Sequence, residues 1–343
     1  MIAIVPADDH LGMVDEPVDH DRGGARAGSP RAAPPILATA DYDGRAMRTI
    51  LITGGGRGLG RATAEKLAAA GHRVLLTART PSAAGAAATE IRQRHPSAIV
   101  EPRAVDLASL SAVRAFAGAR LELDPPIDVL FNVAGIMQQS PTRRITVDGF
   151  EETLAVNVLA PFLLCGLLLP ALERSTSARI VFVSSRLHLP GSRGVPVEFD
   201  FDDPQLERDY HPERAYKNSK LADLWLAYEL QRRLPPRRIR SNAVCPGFVP
   251  TTAAASAHGV KRRFMQVVLP HMPFATSVDA AADALAFVAV DPSIEDVGGQ
   301  FFGECRPIDS SPESYDAGKA RRFWELAAGL TGVDPLPAAG ARA

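Results

Sequence analysis

Tyr216-Lys217-Asn218-Ser219-Lys220 sets a phenol and an ammonium four positions apart. On a helix, positions i and i+4 share a face. An ammonium beside a phenol favours the phenolate. It is expected to lower the phenol pKa from about 10 toward the range of an acid–base catalyst. The spacing is common by chance, and its plainer reading is an ordinary surface pair. Upstream, the strand-like run Val181-Phe182-Val183 leads into Ser184-Ser185. Another such run ends in Asn132-Val133-Ala134-Gly135, and Asn157 falls in the long helical stretch that follows. If these strand ends share one sheet edge, a hydroxyl, a phenol and an amine meet where open α/β folds bind ligands.

Thr53-Gly54-Gly55-Gly56-Arg57-Gly58-Leu59-Gly60 lies between the first strand-like run and an amphipathic helical stretch. The glycines fall as G-x-x-x-G-x-G on Gly54, Gly58 and Gly60, and no G-x-G-x-x-G register fits. The physical need is the same: a tight turn, close backbone approach to a pyrophosphate, and N–H groups at a helix start aimed at anionic oxygens. A glycine-rich hairpin loop is the alternative, and the strand–loop–helix position favours a cofactor. An NAD-binding fold usually places Asp or Glu after its second strand, to hold the ribose 2′-hydroxyl. Here Val74-Leu75-Leu76-Thr77-Ala78 is followed by Arg79, with Arg57 in the glycine loop. Two guanidiniums suit a 2′-phosphate that a carboxylate would repel, so NADPH/NADP+ is the expected cofactor. Asp106, after the third strand, is a candidate adenine contact. It also reads as a turn or helix N-cap residue, and the two roles are compatible.

These residues need a scaffold that brings strand ends together. Strand-like runs are Ile50–Thr53, Val74–Thr77, Ile99–Val105, Ile127–Val133, Arg179–Ser184, Ile239–Val244 and Gln300–Gly303. Helical patterns lie between them: Gly58–Ala70, Ser82–His95, Ser109–Leu123, Asp148–Leu169, Pro212–Leu234 and Ser277–Val290. Alternation of this kind predicts right-handed βαβ crossovers. The expected fold is α/β, a single Rossmann-type doubly wound parallel sheet of about seven strands with helices on both faces. Residues 1–46 show no sustained period and are expected to be a disordered arm, unless translation starts at Met47. The domain is expected over residues 47–332 and a disordered tail over 333–343.

Composition removes other classes. The 343 residues carry 38 Lys+Arg against 39 Asp+Glu, so the basic excess of a nucleic-acid binder is missing. Three cysteines, Cys165, Cys245 and Cys305, are odd in number and far apart, which argues against a disulfide framework or a thiolate metal site. The eight histidines show no metal-ligand spacing. The longest apolar run, Pro161–Leu172, is about half a membrane span. Acids break up the N-terminal apolar residues, unlike a signal peptide. A soluble cytoplasmic protein is expected, with no metal, no nucleic-acid partner and no membrane span.

Taken in chain order, these motifs resemble the short-chain dehydrogenase/reductase family. Thr53–Gly60 matches its glycine loop, Asn132–Gly135 its N-x-A-G element and Asn157 its helix asparagine. Ser185 matches its serine, Tyr216 and Lys220 its tyrosine–lysine pair, and Pro246-Gly247 followed by Thr251 its Pro-Gly element. The chain is further similar to the retinol-dehydrogenase-like branch. The carriers are Asp148–Glu151, Val156-Asn157-Val158, Pro161–Leu164, Tyr216–Asp223, Gly299–Phe302, Cys305, Ser311-Pro312 and Ala320–Leu330 with Phe323-Trp324. Ser185 and Tyr216 are 31 residues apart, as in that branch. Two features depart from it. Val133 stands where the family usually has a second asparagine, which is expected to affect stability more than chemistry. The branch's hydrophobic N-terminal anchor is missing, so retinoid specificity is not carried over.

The resemblance implies an oxidoreductase moving a hydride between NADP(H) and a carbonyl, or a primary or secondary alcohol. Tyr216 would be the general acid–base, Ser185 would orient the substrate oxygen, Lys220 would tune Tyr216 and hold a ribose, and Asn157 would position a water. Cofactor contacts are implied along the strand ends. Gly54, Arg57, Gly58, Leu59 and Gly60 lie in the first loop; Arg79, Asp106 and Leu107 follow the second and third strands. Asn132, Ala134 and Gly135 follow the fourth strand, and Pro246, Gly247, Val249 and Thr251 follow the sixth. Arg186–Ala215, including Phe199–Asp203, and the apolar Thr252–Ala275 are expected to shape a hydrophobic substrate pocket, or else simply to pack on the core. His188 and His211, lone loop histidines, either touch substrate or, as such residues more often do, lie exposed at the surface. A homodimer is compatible with this reading. The alternative function is a non-catalytic NADPH-binding regulatory protein.

Overall fold

The computed structural model describes residues 47–122, 126–192, 194–235, 238–250, 272 and 275–336. The N-terminal arm, Thr251 and most of Thr252–Ala275 lie outside the described residues.

Eight strands form one sheet in the order β3-β2-β1-β4-β5-β6-β7-β8. They are β1 (Thr49–Ile52), β2 (Arg73–Ala78), β3 (Val100–Ala104), β4 (Val129–Asn132), β5 (Ala178–Val183), β6 (Ile239–Cys245), β7 (Phe301–Gly303) and β8 (Arg306–Pro307). The first seven are parallel, with Leu51 level with both Leu75 and Leu130. The eighth is an addition to the expected count. Glu304 and Cys305 both have positive φ, 51° and 61°, the pattern of a type I′ turn. That turn reverses the chain and pairs Arg306 with Gly303.

Helices α1 (Gly58–Ala69), α2 (Pro81–Arg94) and α3 (Leu110–Glu122) occupy the expected crossovers. The long helical stretch is interrupted: a short α4 (Glu152–Leu154) enters a π-helical turn at Ala155–Leu159 and continues as α5 (Ala160–Glu173). Then come α6 (Pro212–Arg233), α7 (Val278–Val290) and α8 (Ala317–Thr331).

Side-chain alternation on the strands assigns the two layers. Ile50 and Ile52 join the core beneath α1, α2 and α7, whereas Leu51 joins the core beneath α3, α5, α6 and α8. The stretch Glu152–Glu173 is long and apolar enough to cross a membrane, with mean hydropathy 2.1, yet 83% of that window is buried inside the fold. It is the central helix of the second layer.

The last helix carries Ala320, Phe323, Trp324 and Ala327 on one buried stripe. Phe199 and Phe201, in the segment expected to shape a pocket or else to pack on the core, join it. Phe199 lies 5.4 Å from Trp225 of α6 and 5.1 Å from Phe323 of α8. The tail boundary also moves. Gly332, at φ 67°, turns the chain back after α8. Trp324 Nε1 then donates to Asp334 at 2.9 Å, and Arg233 donates to the Leu336 carbonyl at 3.0 Å. Residues 333–336 therefore pack on the domain, and only 337–343 lie outside the described residues.

Candidate active site

The parallel arrangement gathers the C-terminal ends of β1 to β6 on one edge. At the end of β1, Thr53 is buried, and its Oγ1 accepts from Val133 N at 3.0 Å and Ala134 N at 3.1 Å. One hydroxyl thus locks the glycine loop to the end of β4. Gly54 has φ 70°, and a Cβ there would meet Ala134 Cα at 2.9 Å. Gly60, in the first turn of α1, would place a Cβ 2.3 Å from the Gly54 carbonyl oxygen. Only glycine permits this crossing of loop and helix. Leu59 is buried beneath it. The α1 N-terminus has no side-chain cap and no acid in its first turn. Its amides and dipole can therefore receive an anion.

Arg57 and Arg79 are both exposed beside this loop and make no ion pair among the described residues. No carboxylate follows β2; Thr80 comes after Arg79 and caps α2 through Ala83 N. Asp106 takes the turn role, its Oδ1 accepting from Ala108 N at 3.0 Å, and Leu107 is core. Asn132 is buried with its Oδ1 unpartnered. Gly247 has φ 79°, and a Cβ there would strike Thr276 Oγ1 at 2.1 Å, which closes the Pro246-Gly247 turn against the chain before α7. Val249 is buried.

The four residues proposed for chemistry come together. The Ser185 hydroxyl, whose Oγ accepts from Leu187 N at 3.2 Å, lies near enough to the Tyr216 phenol to act on it. The Lys220 Nζ lies 5.6 Å from the Tyr216 ring centroid. A Cβ on Gly135 would be 3.6 Å from Asn157 Oδ1 and 3.7 Å from Lys220 Nζ, so these two groups and the N-x-A-G element meet at one corner. Asn157 sits in the π-helical turn. Its Oδ1 accepts from Ile136 N at 2.8 Å, and its Nδ2 donates to Ile136 O and to Ser219 Oγ, both at 2.9 Å. Ser184 faces away from this corner. It is buried and donates to the Lys220 carbonyl at 2.7 Å.

The phenol does not sit where the local charge pattern puts it. Burial raises the Tyr216 pKa and outweighs the Lys220 ammonium, which pulls it down; Asp223 and Cys245 add to the rise, and the nearby Ser185 hydroxyl opposes it. The net position is above the ordinary phenol value, the reverse of the expectation from Tyr216 and Lys220 alone.

Three further groups shape this corner. Lys217 is fully buried, and its Nζ donates to Val195 O at 2.8 Å and Ser192 O at 3.3 Å, tying down the segment after Ser185. Asp223 bonds Lys220. His188, expected to touch substrate or to lie at the surface, is 1% exposed. Its Nε2 accepts from Ser311 N at 3.0 Å and its Nδ1 meets the Ser185 carbonyl, so the neutral ring carries its proton on Nδ1. His211 is the N-cap of α6, accepting from Glu213 N at 3.2 Å.

The His188 clamp has a pH consequence. Burial first, then the Arg186 charge, lower its pKa against the bond that the ring donates to the Ser185 carbonyl. Below the unfolded value of about 6.5 the unfolded chain binds a proton that the native ring resists, so stability falls as pH drops through that window toward the folded value. The urea midpoint of the wild type is expected to decline on acidification from about pH 7 to 5, and less steeply in His188→Asn. Parallel declines in the two proteins would contradict the clamp.

Comparisons with known proteins place the chain among related sequences and folds. Residues 48–197 match the family described as short chain dehydrogenase. The chain is 38% identical over 303 residues to human retinol dehydrogenase 14, covering 83% of this chain and 87% of that protein. It is similar to a crystal structure of an uncharacterized protein from Mycobacterium paratuberculosis, at 32% identity and a TM-score of 0.64 over 85% of this chain and 96% of that one. It is also similar to a Pseudomonas aeruginosa RhlG/NADP active-site complex, at 26% identity and a TM-score of 0.58 over 75% of this chain and 94% of that one.

Proposed function

The chain belongs to the short-chain dehydrogenase family, and from that premise we propose an NADP(H)-dependent oxidoreductase acting on a hydrophobic carbonyl or alcohol, with Tyr216 as general acid–base. The observation that carries the proposal is the Lys220 ammonium 5.6 Å from the Tyr216 ring centroid, with Lys220 Nζ and Asn157 Oδ1 meeting at the Gly135 corner. The identity to retinol dehydrogenase 14 and the run Tyr216–Asp223 favour the retinol-dehydrogenase-like branch within the family. The use of NADP(H) draws support from the relative solved as an NADP complex and from the two exposed arginines beside the loop.

NADPH, when bound, supplies the hydride. The loop at Gly54, Gly58, Leu59 and Gly60 would hold its phosphates, with Arg57 and Arg79 at the 2′-phosphate. Asp106, Leu107, Asn132, Ala134 and Gly135 would line its course, with Pro246, Gly247, Val249 and Thr251 at the far end. Lys220 would hold a ribose hydroxyl. Tyr216 gives its proton to the substrate oxygen as negative charge builds there, and Ser185 hydrogen-bonds the same oxygen and fixes its place. Asn157, held rigid by Ile136 and Ser219, would position a water that returns a proton toward Lys220.

NADPH consumption with a panel of apolar aldehydes and ketones tests this reading, and turnover of at least one class is expected. Binding of NADPH with no turnover across the panel, in either direction, would favour the regulatory-protein alternative.

Cofactor choice gives a second check. Each exposed arginine contact with a phosphate is worth about 1 kcal/mol or less after solvent screening. Two such contacts give about 1–2 kcal/mol, a preference for NADPH over NADH of roughly 5–30-fold in kcat/KM. Arg57→Ala with Arg79→Ala should nearly abolish it, and added salt should weaken it in the wild type. A preference that survives both changes would mean that other residues hold the phosphate.

A further inference from the structure

Asp223 is a buried carboxylate with no part in the mechanism above. It follows Lys220 by three residues and Tyr216 by seven, which puts all three on one face of α6. Its side chain is 3% exposed, and its Oδ2 accepts from Lys220 Nζ at 2.8 Å. The same Nζ donates to the Val183 carbonyl at 2.9 Å. These two acceptors fix the ammonium between the end of β5 and the helix that carries Tyr216. A buried ion pair is a weak source of stability, because desolvation offsets its attraction. A neutral asparagine could accept the same hydrogen bond. What the carboxylate adds is a negative charge next to the amine that acts on the phenol.

We infer that Asp223 is a positioning residue: it anchors the Lys220 ammonium and offsets its charge, so that Tyr216 stays a proton donor to higher pH. The inference rests on the reading of Tyr216 as the general acid–base.

The surroundings leave few competing charges. Burial pushes the Asp223 carboxyl up to about 6 while Lys220 pulls it down, so it is ionised at neutral pH. Burial works against the Lys220 charge, but Asp223 and then Tyr216 overcome it and hold the ammonium above its usual range. The groups acting on both Lys220 and the phenol are each other, Asp223 and the Cys245 thiol of β6. Other charges on elements packed against α6 are engaged elsewhere or exposed. Arg179 of β5 bonds the Val288 and Asp291 carbonyls, and Arg240 of β6 pairs with Asp296. Glu152 of α4 pairs with Arg144. Glu313 pairs with Lys319 of α8, and Arg322 of α8 with Asp202. His188 is neutral in its clamp, whereas Arg186, Tyr315, Arg321 and Glu325 are exposed.

The test reads the phenol directly. Tyrosinate absorbance of the full chain is titrated without nucleotide, and the curve of Tyr216→Phe is subtracted to leave Tyr216 alone. The same subtraction is made for Asp223→Asn against Asp223→Asn/Tyr216→Phe. Loss of the charge is expected to move the midpoint down by about one pH unit, the low end for a single nearby charge. Asp223→Glu, which keeps the charge, should return it toward the wild-type position. With NADP+ and an alcohol substrate, the pH at which oxidative kcat/KM levels off should fall by the same interval, since that profile reports the catalytic base. A merely structural Asp223 would lower the amplitude and leave the midpoint in place, and that result, or a rise, overturns the inference. If Asp223→Asn does not fold, Asp223→Ser removes the same charge and is read in the same way. A wild type inactive on every substrate would sink the acid–base reading, while the absorbance titration would still decide the role of Asp223.

Discussion

Tyr216→Phe is expected to lower turnover by ~10²-fold or more, the low end of what a positioned general acid contributes, with the fold intact. The change removes one hydroxyl. The ring can keep its place near the Lys220 ammonium, so packing should survive. What goes is the proton that meets the substrate oxygen. NADPH affinity should change little, because the loop and arginines proposed to hold the cofactor lie on other strand ends. Steady-state kinetics and nucleotide titration on the same preparation separate the two effects. The wild type should also show a characteristic pH dependence. Reduction needs the protonated phenol, and burial raises its pKa, so reductive kcat/KM should fall only at alkaline pH, while oxidation should climb toward it. Near-wild-type reduction by the Phe variant would remove Tyr216 from the mechanism.

Much of the scaffold is legible in the sequence because β1, β2, β4 and β5 are short, largely apolar runs between helical stretches. Parallel connection then forces the strand ends that carry Gly54, Asn132, Ser185 and Pro246 onto one edge, so motifs distant in the chain become neighbours without any knowledge of side-chain contacts. The eighth strand was not legible. It has two residues, one of them proline, and its turn uses Glu304 and Cys305 at positive φ, where Asn-Gly is the usual signal. The packing of residues 333–336 was hidden for a different reason. Gly332 marks only the end of α8, and the partners that order the segment after it, Trp324 and Arg233, are recognisable only in three dimensions.

The candidate site divides along the same line. The helix spacing of Tyr216 and Lys220 could be read, and so could their likeness in charge to an acid–base pair. Burial could not, and burial decides the direction in which the phenol moves. His188 looked like a loop residue because its acceptor and donor partners are Ser185, three residues back, and Ser311, 123 residues on. Phe199 and Phe201 read equally as pocket walls or as core, because their neighbours Trp225 and Phe323 come from two helices that meet only in the fold. Asp223 is the exception, since its positions relative to Lys220 and Tyr216 place it on their face from spacing alone.

Gly60→Ala is expected to weaken NADPH binding by about 5–150-fold, from the roughly 1–3 kcal/mol that overpacking a close contact costs. The new methyl would lie 2.3 Å from the Gly54 carbonyl oxygen and 2.9 Å from its carbon. Both are backbone atoms, so no side chain can swing aside. Gly54 cannot retreat freely either. It is held at φ 70°, its Cα faces Ala134, and Ala134 is fastened to Thr53 Oγ1 at 3.1 Å. The loop must therefore open away from the first turn of α1, and the amides aimed at the phosphates lose their common focus. Gly118→Ala is the matched control. It lies within α3 with nothing near its added methyl, so it should raise stability by about 0.5–1 kcal/mol and leave nucleotide binding alone. Calorimetric titration with NADPH, together with melting curves for both variants, checks the pair. A folded Gly60→Ala protein that binds NADPH with wild-type affinity would mean that the glycine loop is not the phosphate cradle.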